Sequence, residues 1–577
     1  MSDQPPPEEP TGSLPPPPDQ GAEPAQQRAD EGMRPVAPSD GGGALMSKPR
    51  SKGLTVALLA AAAVLVLGVV AASAAYFSLR GSSEAVLDKV PSGADAVVVA
   101  HLDPAASQKM QLFRMASKFP DLGTEQDLKQ KLNTMLDQTL QGSGLTHDDL
   151  GWVGGEIGGY VTINGAAPSY AVLIASDDDG AASSALQTLR ESTGTTYTQS
   201  SIDGVAVWTP AASDQPSTAI VDGTVVLASD QDAMQAVIQT DHGASSIQDD
   251  QTFTGVMDQL PGDNLGFAYV NIHALTSLAS LVPGGMGGLE TQLAAYQGAG
   301  YSISAESDGL VLDTVVTTDP SKLTDAQRAA LGAGPNPLLA LTPANAYGVA
   351  AASGIGKTLE SELSQVGELG PGPARMIQRL GLIGPDGVLQ HLTGDVGFEV
   401  GPGSGLLPVS GTVMIGVDDA GAVQSWLDTH VPGLLAQAGV PGLSARTLKT
   451  EEYQGVKITY GELPTTPVAW GVVNGALVVG LSPNAVEQAV DLSQGNGPSI
   501  SSNANFASAV GGLPGTQTVL YVDVNGILAA LQGILPNDEY QQFLEQGGKN
   551  LQPITSVVAG GAASDTVSTY RVVVRIP

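Results

Sequence analysis

The chain has 577 residues, with 58 acidic against 24 basic side chains, a formal net charge of −34, and no cysteine. The missing thiols exclude disulfides, cysteine-ligated zinc, iron–sulfur clusters and cysteine nucleophiles. The acidic excess makes nucleic acid and anionic lipid headgroups poor partners, although the same excess also serves simply to keep an exported protein soluble.

Residues 1–52 are poor in large apolar side chains and rich in Pro, Glu, Gln and Gly. Such a segment buries too little surface to fold, so we predict a disordered, proline-rich tail. The proline runs at 5–7 and 15–18 favour polyproline II, which suits docking to an aromatic groove of a partner. A solvated tail without a partner is the simpler interpretation of the same runs.

Residues 53–79 form an uncharged apolar run that ends at Lys52 on one side and Arg80 on the other. A hydrocarbon core of about 30 Å needs about 20 helical residues, so the run predicts one transmembrane helix. Basic residues crowd its N-terminal flank, which predicts a cytoplasmic tail and an extracytoplasmic C-terminal part at the plasma membrane. A cleavable signal peptide ending near residue 74 is the alternative, but both the run and the segment before it are long for one.

The rest of the chain contains the same series of phrases twice, in the same order. TFTGVMDQLPG (252–262) returns as NFASAVGGLPG (505–515), and the stretch at 220–239 matches the stretch at 472–492. In both stretches an Asp-Gly or Asn-Gly pair, at 222–223 and 474–475, predicts a hairpin with a type I′ turn. We therefore predict two ectodomain repeats, with these boundaries: a linker at 80–85, repeat 1 at 86–325, a linker at 326–334 and repeat 2 at 335–577.

Strands outnumber helices in each predicted repeat, and short turns join most of them. This order predicts an α+β fold made of two tandem copies of a mainly antiparallel sheet with helices on one face. The transmembrane helix and the disordered N-terminal tail precede the two copies. The sequence leaves open whether the two sheets join edge to edge or face each other across a cleft.

Four phrases of the exported part resemble those of a known bacterial family. They are VPSGADAVVVAHLDP, LGWVGGEIGGYV, FTGVMDQLPG and LGFAYVNI. Together with the proline-rich tail and the single apolar run, they resemble the family filed as domain of unknown function 3352. The resemblance covers about residues 86–577 and implies an actinobacterial-type envelope protein. It supplies no catalytic residue.

Two motifs approach known ligand sites but differ from them in detail. Residues 351–358 resemble a phosphate loop, but Ala351 replaces its first glycine, so Lys357 is expected to be a solvated residue. The acidic clusters at 177–179 and 418–419 lack the spacing of a calcium-binding loop and are expected to cap helices. We therefore predict no cofactor-binding and no metal-binding residues.

Glu156 and Asp395 occupy equivalent places in the strand phrases GGEIGG and TGDVGF. A carboxylate held in a strand in both repeats suits an acid, a base or a partner for a backbone turn. Neither phrase contains a histidine, and the six histidines do not recur at matched places: 101, 147, 242, 273, 391 and 430. We predict no catalytic residue, and we favour a role without catalysis while leaving the question open.

These features predict a single-pass, membrane-anchored protein that binds or scaffolds an envelope protein, lipid or glycan outside the cytoplasm. The alternative is an envelope hydrolase acting on wall or lipid substrates. A deep pocket with converging polar side chains would favour the hydrolase, whereas a shallow apolar groove between the repeats would favour binding. A sensor that relays binding to the tail is a third possibility, although the apolar run contains no GxxxG.

Overall fold

The described residues of this computed structural model run from 86 to 577. Gaps fall at 121–129, 131–132, 135, 139, 142, 164–167, 213–214, 275–292, 332–333, 355–380, 383–386, 404–407, 439–445 and 463–466. The predicted tail at 1–52, the predicted transmembrane helix at 53–79 and the linker at 80–85 lie outside the described residues. Among the helices that are described, none combines the length and the apolar character that a bilayer crossing requires.

Twenty strands make up the frame of the described chain. The first ten are β1 (Ala96–His101), β2 (Val153–Thr162), β3 (Ser169–Ser176), β4 (Tyr197–Ile202), β5 (Val205–Pro210), β6 (Ser217–Val221), β7 (Thr224–Ala228), β8 (Gly266–Asn271), β9 (Tyr296–Glu306) and β10 (Gly309–Thr318). The others are β11 (Gly348–Ala352), β12 (Leu392–Pro402), β13 (Val409–Val417), β14 (Lys449–Tyr453), β15 (Val456–Glu462), β16 (Pro467–Val473), β17 (Ala476–Gly480), β18 (Thr518–Asp523), β19 (Ser556–Ala563) and β20 (Val567–Arg575).

Every strand belongs to one antiparallel sheet. The pairings give the order β4-β5-β6-β7-β3-β2-β1-β8-β9-β10-β20-β19-β18-β11-β12-β13-β17-β16-β15-β14. The order within the first ten strands repeats within the last ten. We call strands β1–β10 the first half and strands β11–β20 the second half. The domain boundaries given above remain a prediction.

The two halves join where β10 pairs with β20, from Gly309 opposite Arg575 to Thr317 opposite Val567. These two strands occupy equivalent positions in the two halves. Tyr269 of β8 faces Gly300 of β9, which faces Val315 of β10. In the same way, Tyr521 of β18 faces Val558 of β19, which faces Val573 of β20. By the same count Asp313 is equivalent to Arg571, and these two residues face each other directly. A local twofold axis therefore passes through the Asp313–Arg571 pair.

The helices of the described chain range from 7 to 19 residues. They are α1 (Ala106–Ala116), α2 (Asp179–Ser192), α3 (Gln231–Asp241), α4 (Gln251–Met257), α5 (Asp325–Leu331), α6 (Ala420–Ala438), α7 (Pro483–Ser493), α8 (Ala504–Val510), α9 (Val524–Ile534) and α10 (Asn537–Glu545). Single turns of 3-10 helix lie at Leu87–Lys89, His147–Leu150, Ile247–Asp249, Pro320–Lys322, Pro337–Leu341, Val388–His391, Ile500–Ser502 and Gly548–Leu551.

Helices pack on both faces of the sheet. Successive side chains of a strand point to opposite faces, and the neighbours Val99 and Ala100 of β1 enter different apolar clusters. Val99 packs with residues of α3 and α4, whereas Ala100 packs with residues of α2. We call the face of Val99 the core face, which α7 and α8 cover in the second half. On the opposite face, α6 packs over Trp470 at the far edge.

The predicted fold class is therefore wrong as stated. The two halves share one continuous sheet instead of forming two sheets, and helices cover parts of both faces instead of one. The predicted transmembrane helix has no counterpart among the described helices. The joining of the halves has a physical reason: β10 and β20 would otherwise be open edges with unpaired backbone N–H and C=O groups.

The predicted hairpin turns are confirmed. Val221 faces Thr224 and Val473 faces Ala476, so each loop has two residues. The loop residues all have positive φ: 38° at Asp222, 70° at Gly223, 44° at Asn474 and 77° at Gly475. Type I′ turns require this geometry at both positions, which explains the Asp-Gly and Asn-Gly pairs.

Candidate functional site

A row of apolar side chains crosses the face opposite the core face. In register from β10 to β17, its members are Leu312, Val572, Ala559, Leu520, Ala350, Phe398, Val413 and Val479. Eight strands contribute to it, so its seven strand spacings of about 4.8 Å give a length of about 34 Å. The row starts in the first half and continues without a break into the second.

The large side chains of this apolar row are unusually exposed. Phe398 is 50% exposed, Leu520 and Val413 are each 44% exposed, and Leu312 is 37% exposed. Val409 and Leu481 are also exposed, and strand alternation puts Val409 on the same face. Single exposed apolar residues are ordinary, but a contiguous group of them marks an interaction surface.

Charged residues are absent from this face along the described strands β9–β13 and β18–β20. These strands contain seven charged residues, and alternation places all seven on the core face: Glu306, Asp313, Asp395, Glu399, Asp523, Arg571 and Arg575. Asp313 and Glu399 are buried there. The usual distribution is thus inverted, because the exposed face is apolar while the covered face holds the charges.

Two tyrosines lie in the next row of the same face. Tyr301 faces Thr314, and Thr314 faces Tyr570, so two strand spacings of about 4.8 Å separate the tyrosines. Tyr301 is 36% exposed and Tyr570 is 38% exposed. Their rings add apolar area, and their hydroxyls add hydrogen-bonding groups beside the apolar row.

Glu156, singled out from the sequence, is buried on the core face of β2. Its Oε2 accepts a hydrogen bond of 3.3 Å from the backbone N–H of Val86, and its Oε1 lies 3.1 Å from Nδ1 of His101. The register of β1 with β2 places His101 directly opposite Glu156. Sequence reasoning missed this contact, because only the register brings together two residues that are far apart along the chain.

Asp395 holds the equivalent place in the second half but has different neighbours. Thr393 donates a hydrogen bond of 2.8 Å to its Oδ2. A cavity of about 140 Å³ lies beside it, lined by Pro337, Leu338, Ala340, Leu341, Thr393, Asp395, Gly416, Asn474 and Gly475. The position equivalent to His101 is Ser353, whose buried Oγ has no hydrogen-bond partner in the described part of the chain. The two carboxylates are therefore equivalent in position but not in chemistry.

A second pair of equivalent core-face residues also differs. In the first half, the buried Tyr160 hydroxyl donates a hydrogen bond of 3.0 Å to the carbonyl of Ala233. Its counterpart in the second half is Glu399, whose Oε2 accepts a hydrogen bond of 3.2 Å from Thr412 Oγ1. Burial raises the pKa of Glu399 to about 7, and the hydrogen bond from Thr412 opposes this shift only in part. Sequence analysis gave no signal for Glu399.

The other sequence candidates stay apart. Lys357 lies outside the described residues, so the phosphate-loop resemblance has no structural counterpart to compare. The predicted helix caps are confirmed, because Asp178 accepts from the N–H of Ala181 and Asp419 accepts from the N–H of Ala422. The histidines at 147 and 391 contact separate aspartates, and the ring of His430 stacks on Trp426.

Comparison with known proteins gives one informative match. No curated protein matches the chain. Two solved structures, crystal forms IV and III of TP0453, each align with 10% identity and a TM-score of 0.23. They cover 40% and 43% of this chain and 79% and 85% of their own, and scores this low carry no argument about the fold. The resemblance stated from the sequence is confirmed, since the profile of the family described as protein of unknown function (DUF3352) matches residues 58–386 and 430–566, and the chain belongs to that family.

Proposed function

We propose that this chain is a binding protein whose ligand lies along the apolar row, across both halves. The row lies on the face opposite the core face, and we call the part of that face formed by β9–β13 and β18–β20 the uncharged face. The observation that supports the proposal is the apolar row from Leu312 to Val479. Its members Leu312, Leu520, Phe398 and Val413 are exposed, whereas Val479 at its end packs in the cluster under α6. The row is unbroken across the junction of β10 with β20, and its eight members carry no charge. Burying apolar area contributes about 25 cal/mol per Å², so an apolar ligand gains free energy along the exposed part of the row, from Leu312 to Val413.

The described polar groups favour binding over the alternative of a hydrolase. The carboxylate of Glu156 is already engaged by Val86 and His101 on the covered face. The cavity beside Asp395 measures about 140 Å³, which is small beside the roughly 300–1,000 Å³ of typical small-molecule sites. The lining of that cavity contains no histidine, lysine or serine.

Binding of the uncharged dye Nile red to the full chain tests the proposal. The double variant Phe398→Ser with Leu520→Ser removes two large side chains from the apolar row, and we expect at least about tenfold weaker binding. The matched control is Ile534→Ser with Leu551→Ser, because both residues are large, apolar and exposed but lie outside the sheet. Equal dye binding by both double variants would refute the proposed face.

The cell-envelope location predicted from the sequence also remains a proposal. The fold does not test it, and the family is described only as one of unknown function. Protease added to intact cells would test it, because an extracytoplasmic ectodomain would be digested while a cytoplasmic marker protein stays whole. Protection of the chain until the cells are lysed would contradict this location.

A further inference from the structure

We infer that the occupant of the uncharged face is the hydrocarbon part of a lipid whose headgroup carries no net negative charge. The inference rests on the proposed function and names the ligand class for the same face. Three observations support it: the scarcity of polar groups along the apolar row, the position of two tyrosines beside it, and the charge of the chain.

The apolar row offers a ligand almost nothing but hydrocarbon. Its eight members have no polar side-chain atom, and their backbone N–H and C=O groups belong to the ladders of the sheet. Protein partners usually form about one hydrogen bond per 100–200 Å² of interface. A protein laid along this row would leave such groups unpaired, whereas an acyl chain has none to pair.

The side chains of the apolar row differ in size along its length. The large side chains of Leu520 and Phe398 flank the small Ala350, and Leu312 and Leu520 lie on either side of Val572 and Ala559. Because Ala350 and Ala559 rise less above the sheet than their neighbours, they leave shallow depressions along the row. A flexible hydrocarbon chain adapts to such depressions without losing hydrogen bonds.

Tyr301 and Tyr570 supply the polar end of the site. They lie one row away, on the same face, so their hydroxyls can reach groups at the margin of a ligand held on the apolar row. Amphipathic tyrosine rings are enriched where hydrocarbon meets polar headgroups. Ester or phosphate oxygens of a lipid would accept hydrogen bonds from the two hydroxyls.

Charge selects among headgroups. The chain has 58 acidic and 24 basic residues, and no basic residue lies on this face of the described strands β9–β13 and β18–β20. Helix α1 packs beside Leu310 on this face, but its basic side chains are engaged: Lys109 contacts Asp103, and Arg114 and Lys118 donate to backbone carbonyls. An anionic headgroup would therefore meet repulsion from the acidic protein, and the strands of this face supply no cation to offset it. A zwitterionic or uncharged headgroup avoids this cost, so the site fits lipids of that class.

Transfer of a fluorescent phosphatidylcholine from quenched vesicles to the full chain tests the inference. We expect uptake by the wild type, and about tenfold weaker uptake of phosphatidylglycerol with identical chains at low salt, a difference that salt reduces. We expect the double variant Tyr301→Phe with Tyr570→Phe to bind phosphatidylcholine about fivefold less tightly, since it loses two hydroxyls. The same variant should bind Nile red normally, because it keeps both rings.

Each other result has a defined meaning. Normal Nile red binding without phosphatidylcholine uptake would overturn the lipid inference while the proposed function stands. Equal uptake of the anionic lipid would overturn the headgroup assignment. Flotation of the protein with vesicles, without removal of lipid, would show that the face docks on a membrane surface and overturn binding of single lipids. Unchanged Nile red binding in the double variant Phe398→Ser with Leu520→Ser would overturn the proposed function itself.

Discussion

Glu156 in the first half contacts His101 and the backbone of Val86, whereas Asp395 at the equivalent place in the second half lies beside a cavity of about 140 Å³. Tyr160 and Glu399 differ in the same way. Strand order and register nevertheless agree between the halves. The ladder and the apolar core therefore determine this fold, while single buried polar positions diverge in size and charge.

The two halves can be compared most directly where they meet. At the local twofold axis Asp313 and Arg571 form a two-pronged contact, with Arg571 Nε 2.7 Å from Oδ1 and a terminal nitrogen 3.1 Å from Oδ2. Two identical halves joined in this way would place like charges on the axis. The unlike pair therefore favours joining a first half to a second half, and it disfavours joining two copies of either.

We expect the largest effect from Asp313→Arg, which sets two guanidinium groups against each other at a buried position. Breaking a buried charge pair costs about 3–5 kcal/mol, and the repulsion adds to this cost. Urea unfolding of the full chain measures the loss. The exchange variant Asp313→Arg with Arg571→Asp restores an unlike pair and should recover most of the stability. If the exchange variant were as unstable as the single variant, the pair would not act through its charge.

Glu399 should make the stability of the second half depend on pH, whereas its counterpart Tyr160 should not do so in the first half. The folded-state pKa of Glu399, about 7, lies above its ordinary value of 4.5. The folded state therefore holds a proton that the unfolded state has released, and stability falls as pH rises from about 5 to 8. The shift corresponds to at most about 3 kcal/mol.

Glu399→Gln removes this titration, so its free energy of unfolding should lose the part of the pH dependence that Glu399 contributes. Urea unfolding at pH 5 and pH 8 measures the difference between the two proteins. Tyr160→Phe is the matched control, because it removes a core-face hydroxyl at the equivalent place without removing a titrating carboxyl. An unchanged pH profile in Glu399→Gln would show that the carboxyl is hydrated in the folded state.

Exchanging the side chains at Glu156 and Asp395 should change the stability by intermediate amounts. Glu156→Asp shortens the side chain that reaches Val86 and His101, so we expect a loss of about 1–2 kcal/mol. Asp395→Glu adds one methylene group beside the cavity, and we expect a gain of up to about 0.8 kcal/mol. Thermal unfolding measures both, and Glu156→Gln, which keeps the length, is the control. Equal losses in both halves would mean that the cavity is unable to accept the longer side chain.

The sequence predicted those features that depend on neighbouring residues. The Asp222-Gly223 and Asn474-Gly475 turns follow from backbone geometry, and the caps at Asp178 and Asp419 follow from the groups at a helix start. The exposed face was beyond local reasoning. In β10, both Val311 and Leu312 are apolar, yet Val311 is buried and Leu312 is exposed. Alternation separates the faces of a strand, but it does not tell which face other elements cover.

Long-range pairing explains the remaining error and the missed contact. The joining of β10 to β20 combines strands with no local signal for each other, so two copies of a sheet were predicted and their merging into one sheet was not. The contact of His101 with Glu156 also depends on register, since their strands are separated by a long connection containing α1. The repeated stretches of the sequence showed which residues of the two halves are equivalent. They did not show which side chains lie opposite those residues on the neighbouring strands.

The smallest expected effect concerns the two type I′ turns, which have the same geometry in both halves. Gly223→Ala and Gly475→Ala place a Cβ on residues with φ of 70° and 77°, while the space around each site is open beyond 3.4 Å. Only backbone strain remains, so each should cost about 1 kcal/mol, and the two costs should agree. Gly262→Ala and Gly512→Ala are matched controls, because their surroundings are empty and their φ is not in the left-handed region. Urea unfolding resolves such differences, and unequal costs would show that the two turns differ in strain despite their shared geometry.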